Sequence, residues 1–223
     1  MLTLEETWEK LVEHGIVKGD MPKENWNLSG ANLTGVYLNE ANLFGTILSG
    51  ANLSGVYLND ADLSKANLSE ADISGAFLIG SNLIGANLNK AKLYKANLSG
   101  IYLSKSNLTG ADVREADLSE ADLFKADLSK ADLSGANLSG ANLTKANLCN
   151  ANLSESNLSG ARLNGANLSG ADLSGANLSG ASLIEANLSG ANLSGANIKE
   201  ANLSDADLQG AILSGTDPGA ENQ

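Results

Sequence analysis

Apolar positions recur along this chain at intervals of five. From Leu28 to Leu213 every fifth residue is a branched aliphatic, Leu throughout except at Ile73, Val113 and Ile198. This makes 38 consecutive units with no insertion, deletion or proline among them. Two places before the aliphatic, Ala fills 30 of the 38 units, so the chain reads A-(N/D)-L-S-G over most of its length. Taking the aliphatic as position i, a period of five matches neither the 3.6 of a helix nor a plain alternation. It fits a short extended stretch followed by a corner. Alternate side chains of an extended segment share a face, so Ala at i−2 and Leu at i point inward together while Asn or Asp at i−1 points out. Ser and Gly supply the corner, where Gly tolerates unusual dihedrals and Ser, Asn and Asp bond locally to the backbone. The pattern predicts an all-β solenoid with i−1, i+1 and i+2 outside.

A longer echo sets the number of sides. Gly35-Val36-Tyr37-Leu38-Asn39-Glu40 recurs as Gly55-Val56-Tyr57-Leu58-Asn59-Asp60, an offset of 20 residues. Val at i−2 and Tyr at i−1 are uncommon elsewhere, so the match predicts that residues 20 apart stack, giving four sides per coil. Ile101, bulky in an Ala column, then lies one coil above Ser81, a large residue beside a small one as close packing requires.

The A-(N/D)-L-x-x repeat over residues 26 to 215 resembles the pentapeptide repeat family. The resemblance implies a right-handed quadrilateral β-helix, the handedness coming from the family alone. Four units per coil give about nine and a half coils, a rod of roughly 45 Å at ~4.8 Å per strand spacing. The expected organisation is a short N-terminal α-helical cap over residues 1–25, the β-helix over 26–215 and a short polar tail over 216–223. Thr3 and Glu6 form a capping box; Leu4, Trp8, Leu11 and Val12 follow at helical spacing, and Gly15 can end the helix. Trp26, in the first Ala slot, suits a lid over the first coil. At the other end the tail is too short and polar to cover the last coil, which leaves Ile212 and Leu213 near an open face.

Charge changes the picture little. The net charge is −12, but the repeats hold 18 acids against 11 bases. B-DNA carries about one charge per 1.7 Å, roughly 26 over the length of the rod, far more than this surface nets. Direct nucleic-acid binding through phosphates is disfavoured by the acidic balance. Cys149 is the single cysteine, so no internal disulfide forms. No apolar run approaches the ~20 residues of a membrane-spanning helix, and the acidic N-terminus lacks the basic start of a signal peptide. A cytoplasmic location is expected, with no membrane partner.

With a repetitive interior, function sits on outward positions that break the repeat. Tyr37, Tyr57 and Phe77 share one column at i−1 and predict an aromatic ladder, either an interaction site, a strand-stabilising stack, or a surface covered by the N-terminal helix. Lys65, Lys105, Lys125 and Lys145 share an i+2 column and read as a solvated face. Asp112, Asp117, Asp122, Asp127 and Asp132 occupy consecutive i−1 positions, but successive units face different sides. Only Asp112 and Asp132 share a column, beside Arg114, so this is not a metal site. Asn and Asp interchange freely at i−1, as expected where a side-chain oxygen accepts a local backbone bond. His14 and Cys149 lie too far apart to form a catalytic pair. The sequence predicts no catalytic, metal or cofactor residues.

The expected function is a non-enzymatic protein-binding or scaffold module with an unspecified protein partner. The candidate surface comprises Tyr37, Tyr57, Phe77, Ile212 and Leu213, and the C-terminal end also offers a homodimer contact. The resemblance implies one alternative, a DNA mimic that binds DNA gyrase or another DNA-binding protein. Gyrase-binding members carry loop insertions or a C-terminal dimerising helix, and the uninterrupted repeats show neither.

Overall fold

Extended dipeptides and corners alternate without interruption through the repeats in a computed structural model of the protein, which describes residues 2–16 and 26–219. Every backbone bridge joins residues 20 apart in parallel, from Asn27 with Ile47 to Asn197 with Asp217. Four units therefore make each coil, as the Gly-Val-Tyr-Leu-Asn echo predicts. The inward Leu, Ile and Val side chains from Leu33 to Leu193 are buried, with the inward Ala side chains between them.

One unit shows why this five-residue sequence selects this coil. Ala131 N–H donates to the carbonyl of Leu128 and closes the corner; Asp132 N–H donates back to Ala111 of the preceding coil. Leu133 and Gly135 N–H donate forward to Asn152 and Ser154 of the following coil. Ser134 N–H remains, and the Asp132 carboxylate accepts it at 3.0 Å. All five backbone donors are thus paired, which a buried or half-buried chain requires. The fifth bond explains the preference for Asn or Asp at i−1.

Each corner is a turn whose third residue, at i+2, has positive φ, the requirement of type II turns. Gly fills many of these positions. Among the described residues the 17 others with positive φ are all Glu, Lys, Asp or Asn, unbranched at Cβ. The lysine column predicted above is therefore one instance of a general rule for these corners.

Helix α1 spans Leu4–Glu13. Thr3 and Glu6 form the predicted capping box, with Glu6 N–H donating to Thr3 Oγ1 at 3.1 Å and Thr3 N–H to Glu6 Oε2 at 2.7 Å. At its other end Ile16 N–H reaches the Leu11 carbonyl and Gly15 N–H that of Val12, with Gly15 left-handed. This is the Schellman arrangement. The helix packs on the first coil through buried Leu11 and through Trp8, edge-on to Trp26 at 5.3 Å.

One feature of the predicted apolar face is corrected. Val12 is exposed, and the buried face instead runs through Thr7 and Leu11. The reason is a hydrogen bond: Thr7 Oγ1 accepts the Asn42 N–H at 2.9 Å, taking the place of a carbonyl in a preceding coil. Turning Thr7 inward rotates Val12 out. The packing of Leu4, residues 17–25 of the predicted cap and residues 220–223 of the predicted tail lie outside what the structure describes.

Toward the other end the inward Leu203 and Leu208 are only partly buried, and Ile212 and Leu213 are exposed. The N–H groups of Leu203, Leu208 and Leu213 meet no carbonyl among the described residues.

Candidate interaction surface

The aromatic column forms as its spacing predicts. Tyr37 and Tyr57 stack with ring centroids 4.4 Å apart, and Tyr57 and Phe77 follow at 4.8 Å, the ring planes nearly parallel in both cases. Helix α1 sits on the end of the rod and does not cover the ladder: Tyr37 is 58% exposed. Ile212 and Leu213 lie at the opposite end, so the five candidate residues form two separate surfaces.

An aromatic at i−1 removes the Asn or Asp that would accept the i+1 N–H. The chain replaces it. Asn39 follows Tyr37 and its Oδ1 accepts the Asn59 N–H at 3.0 Å; Asn59 follows Tyr57 and its Oδ1 accepts the Ile79 N–H at 2.9 Å. Arg162 and Asn164 repeat the device, with Asn164 accepting the Ile184 N–H. The Tyr-Leu-Asn triplet is therefore a unit in which the aromatic is freed from backbone duty.

The ladder is one part of a larger apolar region. Tyr37, Phe44, Ile47, Tyr57, Phe77, Ile79, Ile84, Tyr94 and Tyr102 are the outward aromatic and large aliphatic residues of units 36–105, against Phe124, Ile184 and Ile212 beyond. Phe44, Ile79, Ile84 and Tyr102 are all substantially exposed. Between the ladder and Tyr102 lies a corner whose i+2 residues run Glu40, Asp60, Gly80, Gly100. The two glycines leave a notch, and an open groove of about 610 Å³ forms there, lined by Glu40, Asp60, Gly80, Asn82, Ile84 and Tyr102. This groove was not among the sequence-predicted sites. Sorting outward apolar residues at i+1 by corner, as well as those at i−1, reveals it.

Some charged groups elsewhere are matched locally. Asp112 and Asp132 stack as predicted, and Arg114 joins them, with two 2.7 Å hydrogen bonds to Asp112 and a 4.0 Å approach to Asp132. The Arg114 hydrogen bonds hold the Asp112 carboxyl below the ordinary carboxylate range, against a smaller opposing effect of burial. Lys65 lies over Phe44 and Lys125 over Phe124, at 5.4 and 5.2 Å. Among the described residues no group of His, Cys, Asp or Glu is placed to hold a metal ion. His14 bonds its own helix at the Lys10 carbonyl, several coils from Cys149. No helix among the described residues is long and apolar enough to cross a membrane.

The repeat profile described as "Pentapeptide repeats" matches in consecutive blocks covering residues 27–60, 61–100, 101–140, 141–180 and 176–215. The chain belongs to the pentapeptide repeat family. It is a right-handed quadrilateral β-helix, the fold of that family. Among solved pentapeptide repeat proteins it is similar to HetL from the cyanobacterium Nostoc sp. strain PCC 7120, at 37% identity over 99% of both chains, with a TM-score of 0.85. It is also similar to Rfr23 from the cyanobacterium Cyanothece 51142, at 41% identity over 43% of this chain and 63% of that one (TM-score 0.25). QnrB1, a plasmid-mediated fluoroquinolone resistance protein, matches at 22% identity over 89% and 93% of the two chains, with a TM-score of 0.43. A search of curated proteins finds no match.

Proposed function

We propose that this pentapeptide repeat protein is a non-enzymatic protein-binding or scaffold module acting in the cytoplasm. The observation that carries this reading is the exposed apolar region between Tyr37 and Tyr102, set on a rod whose other outward positions are almost all polar. Exposed apolar area of this kind marks interaction surfaces. HetL is described as involved in the regulation of heterocyst differentiation, and the likeness extends over 99% of both chains. A DNA-mimic role is the weaker reading, because the repeats net far less negative charge than a duplex of the same length.

The face that carries Ile212 and Leu213 is the second surface of the proposal, and these two exposed apolar side chains suit a second copy of the chain. Light scattering across concentration, wild type beside Leu213→Asp, tests this contact. A dimer abolished by the substitution supports it, and a monomer at every concentration removes it.

For the apolar region, a photo-crosslinking amino acid at position 57 is compared with one at position 177, on the same column but distant from the aromatics. A specific adduct from position 57 with one identified protein is the expected result. Equal labelling from both positions, or none from either, would sink the reading.

A further inference from the structure

We infer that the groove at the Gly80 corner docks a segment of a partner protein carrying an arginine or lysine flanked by apolar side chains. This rests on the protein-binding reading above and gives the partner its chemistry. Two observations converge on a cation. Among the described residues, eight of the nine aromatic rings have a ring or a cation against them: Trp8 with Trp26, Tyr37 with Tyr57 and Phe77, Phe44 with Lys65, Tyr94 with Lys95 and Arg114, and Phe124 with Lys125. Tyr102 is the exception, half exposed on the wall of the groove. Asp60, on the same groove, makes no ion pair among the described residues, and its carboxylate leans over Gly80, 2.7 Å from where a Cβ there would sit.

The remaining lining fits the rest of such a side chain. Ile84 offers an apolar wall to the methylene stem of an arginine or lysine, whose charged head then lies between a carboxylate and a ring face. The exposed apolar side chains on both sides, Ile79 and the aromatic ladder on one and Phe44 on the other, give the flanking residues of an extended segment somewhere to rest. The groove spans the coils of Glu40 to Tyr102, roughly 15 Å at ~4.8 Å per coil. That length suits a peptide segment rather than a small amine.

Gly80 supplies an internal control. Lys65, Lys90 and Lys105 occupy the equivalent corner position with φ of 56–59°, close to the 65° of Gly80. Gly80→Lys is therefore compatible with the backbone, and the contact its Cβ makes is with the movable end of Asp60. Such a lysine places the chain's own cation in the groove and closes it to another.

The test uses labelled full-length protein on an array of short peptides. The central residue is Arg, Lys, citrulline, Glu or Ser, and the flanks are apolar or polar. Arg and Lys centres with apolar flanks are expected to bind. Citrulline, which keeps the shape of arginine without its charge, should bind about tenfold more weakly. Asp60→Asn, Tyr102→Ala and Gly80→Lys should each reduce binding by a similar factor while keeping a cooperative melting transition, and Glu185→Gln leaves binding intact. Equal binding of arginine and citrulline peptides, or indifference to Asp60→Asn and Gly80→Lys, overturns the inference and leaves the apolar surface as a protein-binding site. Displacement by spermidine regardless of the flanks assigns the groove to a polyamine and also overturns it. Absence of any peptide binding, together with no specific crosslink from position 57, defeats both readings.

Discussion

At the scale of single residues, outward positions in this rod answer to backbone duty before they answer to function. Asn or Asp at i−1 serves the i+1 N–H, and the same side chains also form ladders. Asn137, Asn157, Asn177 and Asn197 each donate to the side chain one coil earlier, beginning at Asp117. The exchange of duty in the Tyr-Leu-Asn units leads to a prediction. Asn59→Ala strands the Ile79 N–H and should cost about 1 kcal/mol, read as a lower unfolding midpoint and faster hydrogen exchange at Ile79. Unchanged protection of that amide would show that the substitute acceptor is dispensable. Charge gives a second prediction. Asp112 sits directly beneath Asp132, and the folded-state pKa of Asp112 is depressed by Arg114. The stabilisation is therefore present above the unfolded-state carboxylate pKa and is lost as pH falls through the lower folded-state value. Arg114→Ala should destabilise the rod at neutral pH and approach wild type in strong acid, where both carboxylates are protonated. Urea unfolding at the two pH values checks this, and an equal loss at both would refute it.

At the scale of elements, α1 works as a substitute coil. Its apolar residues cover Trp26, and Thr7 supplies the acceptor that Asn42 would find in a preceding coil. Thr7 Oγ1 also donates to the Thr3 carbonyl at 2.8 Å, and the side chain is buried. Thr7→Val keeps the shape and removes both bonds, which should cost about 1–3 kcal/mol because a buried donor is left unmet. Thr7→Ser should stay near wild type. Hydrogen exchange at Asn42 separates this local effect from a general loosening, and slow exchange in the valine variant would exclude the capping role. The interior uses a related economy of acceptors. Ser81, Ser106 and Ser156 stand in buried Ala positions, and each donates its hydroxyl to a Leu carbonyl.

At the scale of the whole molecule, each coil contacts only its neighbours, so stability is a sum of similar increments. Removing residues 126–145 deletes 20 residues, the bridge spacing, and keeps every column in register. The shortened protein should retain one cooperative urea transition, with a slope reduced by about a tenth in keeping with the smaller surface exposed on unfolding. Two separate transitions would mean that the rod is not cooperative across the cut. The outer surface has a polarity that the core does not: apolar outward residues gather in the N-terminal half, and the groove lies within that region.

The five-residue period, the inward Ala and Leu columns, the four-sided coil and the capping box were all legible in the sequence. They depend on side-chain direction and on a period without interruption, and both are local properties that repeat. The aromatic ladder was legible too, because a 20-residue offset brings Tyr37, Tyr57 and Phe77 together whatever the finer geometry. Tertiary structure decided the rest. It turned Val12 outward and Thr7 inward, since only the packed cap shows which orphaned N–H must be met. It also made a groove from Asp60, Gly80, Ile84 and Tyr102, which belong to different units and different positions of the repeat. Their meeting depends on how two adjacent sides fold around one corner, a geometry that no single period in the sequence records.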